Sequence, residues 1–252
     1  MALCTELVSL GHSVYVLSNK CEKDVPANIK LIVLDLDLTL IDSLHRFYSI
    51  FSKVLEKLCK RSVSWSVFLK HFSRDTLNSL IPEGIDPMRF WKEFRRRYAI
   101  EPIHPKDKLI SGALETLEWL KRKGYRVIVT TGREVPEEKV WEELNYFRID
   151  KYVDKVYTLA SQDPSIEDVA FIKTGILELI MKDFNVKPKE ILFVGDYWVD
   201  MESCKRLGII GVGVLTGHES EEKLRKFGAK YVIESIKDLP KLLLELESAT
   251  KS

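Results

Sequence analysis

One segment, residues 31–43, constrains the fold more than any other part of the chain. Its sequence is LIVLDLDLTLIDS, in which four apolar residues run directly into Asp35 and Asp37. Such a run predicts a strand that is buried on both faces and carries two carboxylates at its carboxyl end. In open α/β sheets, ligands bind beyond the carboxyl ends of the strands. Residues i and i+2 of a strand point to the same side, so we expect Asp35 and Asp37 to address one point.

The order Asp-x-Asp-x-Thr, from Asp35 to Thr39, is suited to phosphoryl transfer. One carboxylate attacks phosphorus, the other handles the proton, and a metal ion neutralises the surplus charge. An ordinary buried strand followed by an acidic loop would show the same residues. The other motifs of the chain therefore decide between the two interpretations.

A second acidic motif follows another apolar run. Residues 191–194 lead into GDYWVD, in which Gly195 permits a tight turn, Asp196 meets the crevice and Asp200 lies one helical turn later. Both carboxylates can therefore face one metal ion. These carboxylates, Asp35 and a substrate phosphate would crowd negative charges together, which requires a divalent cation. Mg²⁺ suits oxygen ligands, and the lack of His or Cys in the motifs argues against zinc.

Together these residues resemble the haloacid dehalogenase superfamily, whose first motif is DxDx(T/V) and whose fourth motif is GDxxxD. The resemblance implies that Asp35 attacks in line and forms an aspartyl phosphate. Asp37 then protonates the leaving oxygen and later activates water. It also implies Mg²⁺ ligands in Asp35, Asp196 and the backbone carbonyl of Asp37, and the GDxxxD spacing adds Asp200 to this predicted metal site.

Three further residues match the remaining motifs of that superfamily. Thr131, in the sequence TTGR, matches the hydroxyl residue of the second motif, which hydrogen-bonds a phosphate oxygen, and Gly132 allows close backbone approach. Lys173 matches the lysine of the third motif, which screens the charge between nucleophile and phosphate. The superfamily often follows that lysine with proline, whereas Thr174 follows it here. We predict that Thr131, Gly132 and Lys173 bind the substrate phosphate.

Helical periodicity replaces the strand pattern after Ser43 and continues through residues 44–108. Apolar and aromatic residues recur there at spacings of three and four, Ser64 is a candidate N-cap, and Asp86-Pro87 is typical of a helix start. No strand pattern is visible before Val127. We expect an all-helical module between the first two strands of the core, and this module resembles the superfamily's C1 cap, which supplies substrate contacts.

The predicted fold is a three-layer α/β/α, Rossmann-like parallel sheet with this inserted helical cap. We assign residues 31–43 and 109–246 to the core, 44–108 to the cap and 247–252 to a tail. Residues 216–243 are similar to the tail of phosphoglycolate phosphatase-like members. Residues 1–30 read as an additional helix-strand unit, which is a departure from the superfamily because its members usually begin close to the first motif.

Charge and cysteine content argue against several classes of partner and site. Lys plus Arg number 39 against 38 Asp plus Glu, so no basic excess favours nucleic acid or an anionic membrane. The 4 cysteines are scattered without CxxC spacing, so we expect neither a disulfide framework nor a zinc site, but reduced thiols in the cytoplasm. No run of 18 apolar residues and no signal peptide is apparent.

Several basic residues are weaker candidates for contact with a substrate. Arg95, Arg96 and Arg97 form a run on the third cap helix, for which a solvated face is the simpler interpretation. We expect Arg133 to have a surface role, although it is near enough in sequence to reach the phosphate. His45 and His71 lack partners at ligand spacing, and we predict structural roles for both.

The sequence therefore predicts a Mg²⁺-dependent phosphatase acting on a small phosphorylated metabolite through an aspartyl phosphate. A sugar phosphomutase would use the same residues, and a non-catalytic binding protein that retained the fold is a further alternative. A dehalogenase would not need Asp37, and a receiver domain would be shorter and without the helical insertion. The identity of the substrate and the oligomeric state stay open.

Overall fold

The computed structural model describes residues 28–101, 103–161 and 173–251. Within these residues, six strands form a single sheet in the order β5-β4-β1-β6-β7-β8, and every neighbouring pair is parallel. Two short strands, β2 and β3, form a separate pair. The strands are β1 (Leu31–Asp35), β2 (Ile41–Asp42), β3 (Lys108–Leu109), β4 (Arg126–Thr130), β5 (Lys155–Tyr157), β6 (Ile191–Gly195), β7 (Ile210–Val214) and β8 (Tyr231–Ile233).

The side chains of β1 explain why the sheet is covered on both faces. Ile32 and Leu34 pack into one hydrophobic cluster, whereas Leu31 and Val33 pack into the cluster on the opposite face. Neighbouring residues of a pleated strand point to opposite faces, so an uninterrupted apolar strand needs cover on both of them. This arrangement confirms the predicted three-layer α/β/α fold.

Helices supply that cover. One face of the sheet packs against the helices α4, α5 and α9, and the other packs against α6, α7 and α8, whose bounds are given at the end of this paragraph. Among the described residues, none of the helices combines the length and the apolar character that spanning a lipid bilayer requires. The helices are α1 (Leu44–Cys59), α2 (Trp65–Phe72), α3 (Pro87–Ile100), α4 (Ala113–Arg122), α5 (Glu137–Tyr146), α6 (Thr174–Phe184), α7 (Trp198–Leu207), α8 (Glu221–Lys226) and α9 (Leu239–Lys251).

The inserted cap is all-helical, as predicted, and has a hydrophobic core of its own. It contains α1, α2, a short 3-10 helix at Leu77–Leu80, and α3. The side chains of Phe51, Phe68 and Phe90 are fully buried at the centre of this core. Ser64 caps α2, and Asp86 caps α3 with Pro87 as its first residue, as the sequence predicts.

A short antiparallel ribbon joins the cap to the sheet. Ile41 pairs with Leu109, and Asp42 pairs with Lys108, so both connections of the cap run side by side. The sequence predicts no strand between Ser43 and Val127, and this prediction is wrong for β3, which pairs with β2. Strands of two residues are too short to produce a periodic pattern. The exact bounds of the cap, 44–108, stay a prediction.

Four other expectations differ from the structure or lie outside it. Helix α9 continues to Lys251 instead of ending at Leu246, because no Gly or Pro interrupts the residues after Leu246. The sequence also predicts a short strand at residues 155–159, but the strand ends at Tyr157, and Leu159 begins a 3-10 turn. The predicted helix-strand unit in residues 1–30 lies almost wholly outside the described residues. The sequence also predicts a helix over residues 168–184, and the start of this helix at residue 168 lies outside them as well.

The cap core yields a prediction about stability. Phe68→Ala removes a fully buried ring, so we expect the free energy of unfolding to fall by about 3–5 kcal/mol. Leu69→Ala is the control, because the neighbouring Leu69 is 38% exposed, and we expect a change within about 0.5 kcal/mol. Urea denaturation followed by circular dichroism measures both values. Equal losses in the two variants would contradict the packing described for the cap.

Candidate active site

The candidate site lies at the carboxyl edge of the three central strands. Strands β4, β1 and β6 are neighbours, and Asp35 of β1 is level with Thr130 at the end of β4. Asp35, Thr131 and Asp196 therefore stand at the ends of adjacent strands, and all three line a cavity of about 520 Å³ between the sheet and the cap. The position of the site agrees with the rule for ligand binding in open parallel sheets.

A tight loop follows β1 and separates its two aspartates. The strand ends at Asp35, and the backbone N–H groups of Leu40 and Ile41 both donate to the carbonyl oxygen of Leu36. Leu38 has a φ of 58°, in the left-handed region that a leucine rarely adopts. The regular pleat therefore does not reach Asp37. Both carboxylates line the same cavity but have different partners, so strand pleating is not what brings them there, and their convergence on one point stays a prediction.

Asp35 belongs to a cluster of three buried carboxylates. Oxygen atoms of Asp35, Asp196 and Asp200 lie within 4.8 Å of one another. Lys173 places its ammonium group against Asp35 and 2.9 Å from Oδ1 of Asp200. Among the described residues, Lys173 is the cation that pairs with this cluster. The cluster therefore has three acidic groups and one basic group.

The excess of acidic over basic groups in the cluster is accompanied by raised pKa values of its carboxyl groups. Burial raises the pKa of Asp35 to about 7, against the attraction of Lys173. Burial, together with repulsion from Asp35 and Asp200, raises the pKa of Asp196 well above its ordinary value. Burial would lower the pKa of Lys173, but Asp200 and Asp35 outweigh it and raise that pKa. Each carboxyl group is therefore protonated more readily than usual unless more positive charge is supplied.

The cluster fits a divalent cation. Oδ2 of Asp200 is buried and has no hydrogen-bond partner, so it offers a free acceptor to an ion. The donor set consists of carboxylate oxygens, which suits Mg²⁺ and does not suit zinc. The carboxylate of Asp37 is paired with Arg133 and is not part of this cluster, so a contribution of Asp37 to the metal site through its backbone carbonyl stays a prediction.

Two glycines allow the cluster to be this compact. A Cβ atom on Gly195 would lie 2.6 Å from Oδ2 of Asp200, and a Cβ atom on Gly217 would lie 2.1 Å from Oδ2 of Asp196. Both distances are too short for real contacts, so backbone without a side chain is required at each position. The sequence analysis identifies Gly195 but not Gly217, which lies in the loop after β7.

The residues predicted to bind phosphate border the same cavity. Thr131 is buried, and its hydroxyl accepts a hydrogen bond from the backbone N–H of Arg133 at 3.3 Å and lies 3.5 Å from Oδ2 of Asp37. Gly132 and Lys173 line the cavity with it. The three residues are therefore on the Asp35 and Asp37 side of the space beneath the cap.

Asp37 is held by four side chains, of which Arg133 is the most important. Nε of Arg133 donates to Oδ2 of Asp37 at 2.8 Å, and its Nη2 contacts Oδ1, so the two groups form a forked pair. Ser43 and Tyr98 donate to Oδ1 at 2.7 and 3.0 Å, and Thr131 is the fourth. Burial alone would raise the pKa of Asp37, but the charge and hydrogen bonds of Arg133 outweigh it and hold that pKa well below its usual range.

Arg133 also begins a buried chain of alternating charges that ends at the base of the cap. Its Nη1 lies 2.5 Å from Oε2 of Glu143, and Glu143 also pairs with Arg46 of α1. Nε of Arg46 lies 2.9 Å from Oδ2 of Asp107, next to β3. The side chains of Arg46, Glu143 and Asp107 are at most 4% exposed. We call Asp37, Arg133, Glu143, Arg46 and Asp107 the charge chain.

With the geometry established, comparison with known proteins gives the family. The sequence model of the haloacid dehalogenase-like hydrolases matches residues 32–214, which is most of the chain and includes every residue of the carboxylate cluster. The chain belongs to the haloacid dehalogenase-like hydrolases. Asp35, Asp196, Asp200 and Lys173 all fall within the matched range.

Individual relatives extend the comparison. A phosphoglycolate phosphatase from Pseudomonas fluorescens is 25% identical over 224 residues, covering 83% of this chain and 78% of that protein. The pyrophosphatase PpaX from Halalkalibacterium halodurans is 25% identical and covers 84% of this chain and 95% of its own. The crystal structure of a predicted phosphoglycolate phosphatase from Haemophilus somnus has a TM-score of 0.64 and 24% identity, covering 85% and 98% of the two chains. This structural likeness concerns the fold. The prediction of a phosphatase-type hydrolase is confirmed by the family and by its named relatives.

Several residues of this hydrolase site escape the sequence analysis. The expected surface role of Arg133 is wrong, because its side chain is only 9% exposed. Arg46, Tyr98, Asp107 and Glu143 were not identified at all. One signal was available: Arg46 lies four residues before the buried Ile50, on the buried face of α1, where a charged residue needs a partner.

The arginine run on α3 divides into two groups. Arg96 and Arg97 pair with Glu93 at 3.2 Å and do not line the cavity, in line with the predicted solvated face. Arg95 does line the cavity, at its exposed side. His45 stacks on Trp65 at 4.2 Å and His71 hydrogen-bonds Ser79, so both histidines have structural contacts within the cap.

The charge chain predicts strong coupling between two buried groups. A double-mutant cycle with Arg46→Met and Glu143→Gln should give a coupling energy above about 1.5 kcal/mol, because either single change takes from a buried charge one of its two ion-pair partners. Lys139 and Glu142, an exposed pair on the same helix α5, provide the matched control, with coupling below about 1 kcal/mol. Urea denaturation of the four variants in each cycle supplies the values. Coupling no larger than in the control would contradict a structural role for the charge chain.

The carboxylate cluster predicts a pH-dependent stabilisation by Mg²⁺. In chelator, the raised pKa of Asp35 makes the folded state hold a proton that the unfolded state has lost, so Asp35 lowers stability as pH rises from about 4 to about 7. Mg²⁺ competes with that proton. We therefore expect Mg²⁺ to raise the free energy of unfolding more at pH 8 than at pH 5. At pH 8, a Mg²⁺ concentration of 100 times the Kd at that pH should add about 2.7 kcal/mol in total.

Asp196→Asn is the control for this measurement, because it replaces one charged carboxylate of the cluster by a neutral amide and leaves Asp35 in place. Its Mg²⁺-dependent increment should be small at both pH values. Equal stabilisation of wild type and Asp196→Asn would place the ion elsewhere.

Proposed function

We propose that this hydrolase is a Mg²⁺-dependent phosphatase, which hydrolyses a small phosphorylated metabolite through an aspartyl phosphate on Asp35. The observation that carries the proposal is the cluster of Asp35, Asp196 and Asp200 with Lys173, buried at the sheet edge beneath the cap. The named relatives, which include a phosphoglycolate phosphatase and a pyrophosphatase, support phosphate transfer to water as the reaction.

In the first step, a carboxylate oxygen of Asp35 forms a bond to phosphorus while the ester P–O bond breaks. Lys173 lies against Asp35 and reduces the repulsion between this anion and the incoming phosphate. Mg²⁺ held by the carboxylate cluster would supply the remaining positive charge. Thr131 and Gly132 would orient the phosphate oxygens from the end of β4.

Asp37 would move the protons. It gives a proton to the leaving oxygen, and in the second step it accepts a proton from the water that attacks phosphorus and releases Asp35. In the arrangement described, Asp37 is paired with Arg133 and therefore ionised. Proton donation thus requires this pair to open, so that Asp37 gains a proton near the leaving group.

The two alternatives predict different products. A phosphomutase would return the phosphate of Asp35 to a second hydroxyl of a sugar, so inorganic phosphate would not accumulate. A binding protein that only retained the fold would release no phosphate and form no adduct. The presence of all the predicted catalytic carboxylates in one cavity favours an active enzyme over the second alternative.

We also propose that the enzyme acts in the cytoplasm. The cysteines within the described residues, Cys59 and Cys204, are free thiols, as expected in a reducing compartment. The nearly balanced charge of the whole chain supports a small-molecule substrate over nucleic acid.

The roles of the two aspartates can be separated in quenched single turnovers. Asp35→Asn should form no phosphoenzyme, because it lacks the nucleophile. Asp37→Asn should accumulate aspartyl phosphate on Asp35 and lose more activity, roughly 10²- to 10⁴-fold, on alkyl phosphates than on esters with good leaving groups. Mass spectrometry of the peptide containing residues 31–43 measures the adduct.

Asp42→Asn is the matched control, since Asp42 lies in the same peptide but in the ribbon at the base of the cap. It should keep wild-type phosphate release and a normal adduct at Asp35. Wild-type rates in either catalytic variant, or an adduct on another residue, would show that the roles are assigned wrongly. Sugar phosphates that exchange phosphate without releasing it would favour the mutase.

A further inference from the structure

The cap side of the cavity differs sharply in chemistry from the sheet side. The sheet side carries carboxylates, Lys173 and Arg133. The cap side is formed mainly by apolar and aromatic side chains from α1, α2, the short 3-10 helix and α3. We call these residues the aromatic roof, and they are Phe47, Phe72, Leu77, Trp91 and Phe94.

The rings of the aromatic roof form a continuous surface centred on Phe47. The ring centroid of Phe47 lies 4.5 Å from that of Phe94, 5.5 Å from that of Phe72 and 6.3 Å from that of Trp91. The indole N–H of Trp91 donates to the side chain of Asn78 at 2.6 Å, which fixes the orientation of the ring. This surface is therefore preorganised.

Packing of the cap does not account for the whole surface. The fully buried rings Phe51, Phe68 and Phe90 already form the centre of the cap core. Phe47 and Trp91 are only partly buried and border the cavity. A partly buried ring beside a catalytic cavity provides apolar area that a ligand can cover.

Several polar groups on the cap side already have a protein partner. Asn78 accepts from Trp91, Asp75 pairs with Lys223 at 2.6 Å, and the hydroxyl of Tyr98 donates to Asp37. The hydroxyl groups of a sugar, or the carboxylate of a small acid, would lose water there and find few new partners. Arg95 is the exception, and it lies at the exposed side.

The size of the cavity points in the same direction. About 520 Å³ falls within the roughly 300–1,000 Å³ typical of sites for ligands much larger than a two-carbon acid. A flat ring that stacks on the roof would fill this space, with the phosphate at the carboxylate cluster.

Resting on the phosphatase function proposed above, we propose that the substrate is a phosphate monoester whose alcohol part carries an aromatic ring, and that this ring stacks on the roof at Phe47, Trp91 and Phe94. Hydrolysis then yields inorganic phosphate and the free aromatic alcohol. The cap selects the ring, whereas the sheet edge carries out the chemistry.

A panel of alkyl phosphates on the full chain with Mg²⁺ tests this assignment. The probes are benzyl phosphate, cyclohexylmethyl phosphate, ethyl phosphate, phosphoglycolate and glucose 6-phosphate. All are esters of alkyl alcohols, so leaving-group chemistry varies little compared with an aryl ester. We expect kcat/KM for benzyl phosphate to exceed that for each other probe at least tenfold.

Variants locate the effect on the roof. Trp91→Ala should lower kcat/KM for benzyl phosphate at least tenfold more than it lowers kcat/KM for ethyl phosphate, and Trp91→Phe should restore most of this difference. Tyr146→Ala, an aromatic residue that is 63% exposed on α5 and away from the cavity, is the control and should match wild type. The comparison of probes on the wild-type enzyme needs no variant. It therefore tests the aromatic assignment even if Trp91→Ala does not fold.

The outcomes separate this inference from the function on which it rests. Hydrolysis of none of the probes would overturn the phosphatase proposal itself. Phosphate release with equal or higher kcat/KM on phosphoglycolate or glucose 6-phosphate would overturn the aromatic assignment and leave the phosphatase intact. Equal kcat/KM for cyclohexylmethyl and benzyl phosphates would likewise overturn it, because apolar volume and not an aromatic face would then be recognised.

Discussion

Repulsion between buried carboxylates is the constraint on which this site depends. Asp35, Asp196 and Asp200 are held in contact range by strand ends and a helix start, and the cation described with them is Lys173. Charges at such separations interact strongly when water is excluded. The hydrophobic sheet supplies the stability that fixes them in place, since β1 and β6 are buried along their whole length. A stable frame thus maintains an arrangement that would disperse in a flexible chain.

The charge chain links the carboxyl edge of the sheet to the cap. The ribbon formed by β2 and β3 is the covalent connection, and Arg46 and Asp107 lie on the two segments that leave it. Glu143 of the core holds Arg46 and Arg133 at once. The guanidinium groups of both arginines lie 5.4 and 5.0 Å from the ring of Tyr98, which itself donates to Asp37. The position of the cap and the environment of Asp37 are therefore coupled through charged contacts and not only through shape.

The sequence predicts the parts of this molecule that are encoded locally. Apolar runs that end in DLDLT and GDYWVD fix both the strands and the residues at their tips, because burial and strand direction follow from a few neighbouring positions. The charge chain is different: Arg46 and Glu143 are 97 positions apart, and Tyr98 and Asp37 are 61 apart. A charged residue is on the surface by default, so only the tertiary contact reveals the exception. The loop at Leu38 is also not predictable from the sequence. Its left-handed backbone conformation is typical of Gly or Asn, and neither residue is present in the loop.

Helix α3 combines two duties on one rigid element. Trp91 and Phe94 of the aromatic roof are followed, one turn after Phe94, by Tyr98, the partner of Asp37. A compound that fits badly beneath the roof and displaces α3 would also shift the hydroxyl group of Tyr98 that donates to Asp37. Selection among compounds would then appear in turnover as well as in binding. Compounds of the wrong shape could then bind in the cavity without being hydrolysed. The enzyme would discriminate through kcat as well as through binding affinity.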